Sequence, residues 1–332
     1  MKIIVDPSYP SDRSNALFHD GPHNRDRSLD SMLNLKKHYG AALGTVSADG
    51  SVNEDDFLYI SLGALASNWQ EFSNLKSYCL LEAPLIAPSA YRNLSEILVR
   101  FENVYLYGGY NALNYRTRFG INASVHKVFY PIPWTKMEAE CSYGERKNGA
   151  AAIASNRSPK LHRNQLYSER IRAVVASSES FKVDLFGRDW DKIFRLHSVV
   201  HPSFLVNRGK LRTRYRGAIE SKLSVLSTYR FGLVLENAIH PGYVTEKIFD
   251  CMAAGAVPIY LGAPDINDFV NPKCFIDVRR FSSWGDVFKF SAAMSEKVWS
   301  EYQANICEAM CGPRTRRHVD FLSAMVSRAV GA

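Results

Sequence analysis

The chain has 332 residues, 46% hydrophobic and 22% charged, the balance of an ordinary folded protein of about two domains. That mixture excludes collagen-like repeats, a long coiled coil and wholesale disorder, and no internal repeat has a solenoid period. Lysine and arginine number 41 against 33 acidic residues, so the formal charge of +8 suits an anionic partner: nucleic acid, an acidic lipid surface or a phosphorylated small molecule.

Short apolar runs alternate with longer amphipathic ones. In the first half, strands are predicted at residues 3–5, 57–62, 78–82, 104–107 and 128–130, with helical patterns at 29–38 and 94–101. Residues 135–149, rich in charge, Ser and Gly and following the extended Pro131/Pro133 pair, are the expected linker. Beyond it, strands are predicted at 150–154, 183–186, 231–235, 257–261 and 274–278. Helices are predicted at 163–177, 221–229, 244–254, 284–294 and 319–330. This alternation predicts an α/β protein of two Rossmann-like domains, 1–140 and 141–332, facing a central cleft, with ligands at the carboxyl ends of parallel strands. The basic stretch 195–216 has few apolar residues and reads as a loop. Pro258 interrupts AVPIYLG, otherwise a central strand; lacking a ladder donor, it belongs at the strand's first residue or at a bulge.

Six cysteines, at 79, 141, 251, 274, 307 and 311, form no CxxC pair and no zinc-finger spacing. Cys307 and Cys311, one helical turn apart, read as half-buried thiols. The opening MKIIVDPSYP lacks the apolar stretch of a secretory signal, and no apolar run approaches the ~18 residues of a membrane span. With reduced thiols, the expectation is a cytoplasmic protein. No GxGxxG follows a strand, and neither GxxxxGK[ST] nor GxSxG occurs, which disfavours a dehydrogenase, a P-loop protein and an ordinary α/β-hydrolase. Asp189–Trp190–Asp191 mimics the DxD metal motif of some sugar transferases. It follows the VDLFG strand and reads first as a structural turn.

The informative segment is 230–262, RFGLVLENAIHPGYVTEKIFDCMAAGAVPIYLG. A buried strand ends in Glu236 and Asn237, a polar connector carries Pro241 and Gly242, and a helix opens at Thr245, Glu246 and Lys247. A cation in a first helical turn opposes the helix dipole, at a cost of ~0.3–1 kcal/mol if merely solvated. A bound anion reverses that sign, which makes this strand–loop–helix a candidate diphosphate cradle. The alternative is that Lys247 reaches into water or pairs with Glu246 or Asp250. Arg163, at the predicted start of the helix after strand AAIAS, is a second candidate phosphate ligand, and its alternative is an ordinary exposed arginine. Glu82 ends YCLLEAP at a strand's carboxyl end, a suitable place for a general base; its alternative is a surface turn glutamate.

Segment 230–262 resembles the signature of the bacterial-type α-1,3-fucosyltransferases, glycosyltransferase family 10, through LEN (235–237), YVTEK (243–247) and AGAVPIYLG (254–262). YRGAIESKLSVLSTYRF, LYSERIRAV, VDLFGRDW and FVNPKCFIDVRRF extend the likeness over about 150–282, and LLEAP resembles the family's ExP element. The resemblance implies a GT-B fold and inverting transfer of L-fucose from GDP-fucose to a hydroxyl of a glycan acceptor, as in lipopolysaccharide or capsular glycan. Arg163 and Lys247 would bind the diphosphate, Tyr243 and Glu246 the ribose or fucose side, Asn237 the same pocket, and Glu82 would be the base. No metal is expected to be obligatory, a divalent ion at most stimulating turnover. The separation of Glu236 from Glu246, nine intervening residues, does not fit the two-glutamate pattern of retaining GT-B enzymes. No nucleic-acid partner is expected. Arg314, Arg316 and Arg317 ahead of VDFLSAMVSRAV offer peripheral contact with the inner face of a membrane, the preferred alternative being a helix docked across the two domains. Use of another nucleotide sugar is the close alternative, and a basic non-enzymatic binding module the distant one.

Overall fold

The computed structural model describes residues 2–7, 12–19, 25–27, 29–52, 56–108, 120–139, 142–157, 163–191 and 202–331. Two compact units emerge. The first comprises Met1–Pro133, His240–Tyr243 and Arg317–Ala332; the second comprises Trp134–Ile239 and Val244–Arg316. The chain therefore leaves the first unit at Pro133 rather than at 140, and its C-terminal helix returns there.

The elements of the first unit are β1 (Lys2–Asp6), α1 (Asp30–Tyr39), β2 (Leu43–Thr45), β3 (Phe57–Ser61), β4 (Leu75–Cys79), α2 (Leu94–Arg100), β5 (Asn103–Leu106) and β6 (Ser124–Lys127). They form a wholly parallel sheet ordered β2-β1-β3-β4-β5-β6. Helices cover both faces of such a sheet, so its central strands are largely buried; every residue of β3 is buried. The edge strand β6, SVHK, is largely exposed, and its polar sequence conceals it: the apolar run predicted at 128–130 lies just beyond it.

The second unit holds β7 (Lys147–Ile153), α3 (Tyr167–Ala176), β8 (Lys182–Phe186), α4 (Pro202–Arg214), α5 (Lys222–Leu226), β9 (Tyr229–Leu235), α6 (Glu246–Ala253), β10 (Val257–Leu261), β11 (Ile276–Asp277), α7 (Trp284–Ala292) and α8 (Glu296–Cys311). Its five strands are also parallel, in the order β11-β10-β9-β7-β8. Helix α9 (Pro313–Val319) leads back to the first unit, where α10 (Phe321–Val330) buries Phe321, Leu322, Met325 and Val326 in one core with Ile3, Val5, Met32 and Leu35.

Three expectations are corrected. The stretch read as a loop contains α4, whose two buried apolar residues, Phe204 and Leu211, lie two turns apart on an otherwise basic helix; residues 195–201 lie outside the described ones. Cys307 and Cys311 are exposed on α8, a helix capped by the Ser295 hydroxyl; Cys141 lies outside the described residues. Pro258 is the second residue of β10, paired with Gly232, one position before the ladder to β11 begins at Ile259. One glycine is dictated by geometry. Gly187, after β8, has φ +127°, and a Cβ there would stand 2.0 Å from the Ala154 carbonyl oxygen.

Candidate active site

Open parallel sheets bind ligands beyond the carboxyl ends of their strands, where successive strands step to opposite sides of the first. In the second unit this point lies between β7 and β9, because β8 flanks β7 on one side and β9 on the other. Buried Glu236 and half-buried Asn237 follow β9 directly. The chain beyond β7 is bonded to the same place. The Leu166 N–H donates to the Asn237 carbonyl at 3.1 Å, the Ile239 N–H donates to the Asn164 carbonyl at 2.8 Å, and Gln165 bridges Ala238. These bonds tie the Arg163 turn to the Asn237 end of β9. Arg163 is exposed, and because its neighbours pair with residues 237–239 instead of coiling, α3 starts only at Tyr167, not at 163 as predicted.

The connection from β9 to α6 is organised by Glu236, which the sequence marked only by its spacing from Glu246 and not as a ligand of Lys247. Its fully buried carboxylate accepts the Thr245 N–H at 2.9 Å, the Thr245 hydroxyl at 2.8 Å and the Lys247 ammonium at 3.2 Å, while Lys247 also donates to Thr245 Oγ1 at 2.8 Å. Thr245 holds the N-cap position, as predicted, but its hydroxyl caps no helix N–H because it is committed to Glu236. Glu236, with Glu246 at 3.6 Å, offsets the unfavourable placement of a cation in the first turn of α6. Gly262 makes room for this arrangement: a Cβ there would lie 2.5 Å from Glu236 Cγ.

Glu246 is thus a partner of Lys247, whereas Asp250 is engaged elsewhere. It pairs with Lys222 at 2.7 Å and accepts the Trp134 indole N–H at 2.7 Å. Burial works to raise the Glu246 carboxyl, but Lys247 and Lys222 outweigh it and hold it well below the usual carboxylate range. Burial also raises Asp250, and there it prevails over Lys222. Desolvation works to lower the Lys222 ammonium, yet Asp250 and Glu246 leave it raised. Lys222, Glu246, Lys247 and Asp250 line a cavity of about 90 Å³, together with Arg170 of α3 and apolar walls from β7 and β9. Arg170 also donates to the Leu235 carbonyl at 3.1 Å, closing the end of β9. The SKL and SERIR stretches carried Lys222 and Arg170 in view, but helix phase alone did not select them.

In the first unit, β4 ends at Cys79, so Glu82 lies in the following turn and not in a strand over 78–82. Three phenols hold this turn. Tyr91 donates to the Glu82 carbonyl at 2.9 Å, Tyr107 to the Leu81 carbonyl at 2.8 Å, and Tyr243 to Glu82 Oε2 at 2.5 Å. Tyr243, expected beside the donor, is instead fully buried in the first unit's core, its ring edge-on to Tyr107 with centroids 5.1 Å apart. Glu82 also lines a first-unit cavity of about 150 Å³ near the carboxyl ends of β1, β3 and β4.

The DxD-like tripeptide is a turn: Asp189 has φ +70°, buried Trp190 donates its indole N–H to the Ala154 carbonyl at 2.6 Å, and Asn156 bonds the Asp189 carbonyl. Among the described residues, no group of three or more His, Cys, Asp or Glu side chains could hold a metal, and no helix is long and apolar enough to cross a membrane.

Residues 144–304 match the family model described as glycosyltransferase family 10 (fucosyltransferase) C-term. An alpha-(1,4)-fucosyltransferase of Arabidopsis thaliana is 38% identical over 81 residues, which are 24% of this chain and 20% of that protein. The chain matches only about a sixth to a quarter of the length of such curated relatives. Among solved structures, an alpha1,3-fucosyltransferase with GDP aligns at TM-score 0.55 and 15% identity, covering 100% of this chain and 90% of that one. Anabaena Alr3699/HepE in complex with UDP-glucose aligns at TM-score 0.58 and 11% identity over 100% of both chains. At such identities the likeness establishes the fold, GT-B, built from two parallel-sheet α/β units. LEN, YVTEK and AGAVPIYLG lie inside the matched span, and what residues 144–304 match is the C-terminal domain of glycosyltransferase family 10, the fucosyltransferases.

Proposed function

We propose that the protein is an inverting glycosyltransferase that moves L-fucose from GDP-fucose to a hydroxyl of a glycan acceptor. The observation that carries this reading is Lys247, fixed by Glu236 and Thr245 at the opening of α6, beside the switch point of a family 10 domain. Ammonium, helix start and nearby Arg163 suit the diphosphate of a nucleotide sugar. Glu246 and Asn237 supply polar contacts to the sugar or ribose. The GDP held by the α1,3-fucosyltransferase of like fold supports a guanine nucleotide.

In the reaction so read, Glu82 takes the acceptor proton as the acceptor oxygen bonds to the anomeric carbon. The bond to GDP breaks, and GDP leaves with the electron pair. Lys247 and Arg163 stabilise the charge growing on the departing diphosphate, so a divalent ion is not required. The first unit would take the acceptor and the second the donor. A lipopolysaccharide or capsular acceptor, and a cytoplasmic site on the inner face of a membrane, complete the proposal; exposed Arg314, Arg316 and Arg317 would make that contact, because the apolar face of α10 is spent in the first unit's core.

A donor screen tests the reading. Transfer from GDP-fucose to acceptors containing N-acetylglucosamine or glucose is expected. The likeness to HepE with UDP-glucose gives the second reading its footing, another nucleotide sugar in the same fold. Turnover of UDP- or CMP-sugars without GDP-fucose would establish it. Glu82→Gln is expected to abolish turnover while GDP still binds; a non-catalytic binding module would have no turnover to lose.

A further inference from the structure

We propose that Tyr243 is a positioning residue for the Glu82 carboxylate, a role that rests on Glu82 being the base of the transfer. Glu82 lies in a turn, where no strand ladder orients its side chain. Phenols from three separate stretches of chain hold it. Tyr91 and Tyr107 fix the backbone through the carbonyls of Glu82 and Leu81, and Tyr243 alone of the three reaches the carboxylate, at 2.5 Å from Oε2. Tyr243 is fully buried, and its ring packs edge-on against Tyr107. Its hydroxyl is therefore fixed before any ligand arrives. A donor at one carboxylate oxygen favours the ionised form and aims the group. Both are required of a base that must be charged and aligned when the acceptor oxygen attacks.

The neighbouring residues of the same motif do different work. Thr245 and Lys247 bond Glu236 in the second unit, whereas residues 240–243 belong to the first. Among the described residues, the other titratable groups shown near Glu82 are Tyr91, Tyr107, Asp12 and Tyr130, the last two lining its cavity, and Cys79 at the end of β4. Burial raises the Tyr107 phenol and the Cys79 thiol. Phenols and a buried thiol stay neutral across the pH range of an assay, so Asp12 is the group whose titration must be told apart from that of Glu82.

The experiment compares Tyr243→Phe with Glu82→Gln and Asp12→Asn in transfer assays over pH 4–9. Tyr243→Phe keeps the ring and removes one hydroxyl. Its kcat is expected to fall ~10-fold or more, and the acidic limb of kcat/KM to move to higher pH, because the carboxylate loses the donor that favours its charge. The donor KM should stay within ~2-fold, since an interaction made only through the base does not bind the donor. Asp12→Asn should leave the acidic limb in place. If the phenylalanine variant does not fold, 3-fluorotyrosine at 243, a stronger donor of the same shape, is expected to move that limb to lower pH. An unmoved limb, or a raised donor KM with kcat retained, overturns the proposal, the second result returning Tyr243 to the donor. If Glu82→Gln turns over like the wild type, the base assignment fails and takes the proposal with it, a failure that this arm identifies separately.

Discussion

Replacing Gly262 by alanine should injure the proposed donor site without altering any group proposed to meet the donor. The added Cβ would lie 2.4 Å from the Tyr260 hydroxyl and 2.5 Å from Glu236 Cγ. Neither neighbour is able to retreat easily. Tyr260 is fully buried and its hydroxyl accepts the Ala263 N–H at 3.0 Å; Glu236 is fully buried and bonded to Thr245 and Lys247. Overpacking of this kind costs about 1–3 kcal/mol. For a domain of this size, roughly 2–4 °C per kcal/mol predicts a melting point lowered by roughly 2–12 °C. The displacement of Glu236 should also loosen Lys247 and weaken GDP binding about tenfold, equivalent to about 1.4 kcal/mol. Thermal denaturation and calorimetric titration with GDP measure the two effects. Gly285→Ala is the control: it lies in α7, its Cβ would meet only Ser283 Oγ at an ordinary 3.5 Å, and helix propensity makes it neutral to mildly stabilising. A Gly262→Ala protein that melts and binds GDP like the wild type would refute the idea that close packing around Glu236 sets the Lys247 position.

Lys247→Ala should weaken GDP binding by about 10–100-fold, the loss of one charge-assisted contact, and leave Glu236 buried without its ion pair; calorimetry and melting check both. Stability should fall on acidification through His318. Burial lowers its pKa to about 4 from an ordinary value near 6.5, against the raising effect of its bond to the Tyr130 carbonyl. Below pH 6.5 the unfolded chain takes the proton and the folded one does not. Stability present above pH 6.5 is therefore lost as the pH drops towards 4, by about 3 kcal/mol in all. Urea unfolding at pH 7 and 4.5 should show this fall, and His318→Gln should flatten it. Turnover should survive EDTA; complete loss restored by Mn²⁺ or Mg²⁺ would contradict the reading in which Lys247 and Arg163 carry the leaving group.

The legible parts of the fold were those whose burial is uniform. Strands β3, β9 and β10 are covered on both faces and read as apolar runs, and the helix opening at Thr245 showed in its cap and in a cation placed against the dipole. Edge strand β6 and helix α4 escaped because few of their side chains meet a core. The local pattern puts Arg163 in a helix because the pairing of residues 164–166 with 237–239 is a long-range bond that no local pattern encodes. The place of Tyr243 in YVTEK points to the donor, yet a buried phenol's partner is set by tertiary packing, and here it is a glutamate 161 residues away. Glu236 drew notice only for its spacing, since one carboxylate at a strand end looks the same whether it faces water or clamps a lysine.

The return of α10 to the first sheet governs how this protein can assemble during synthesis. Ile3, Val5, Met32 and Leu35 leave the ribosome early, but Phe321, Leu322, Met325 and Val326, which complete their core, follow only after the whole second unit has been made. Until then the nascent first unit carries an uncovered greasy seam, exposed to chaperones and to other chains. Translation arrested before residue 321 would leave Ile3, Val5, Met32 and Leu35 without the four α10 side chains that share their core.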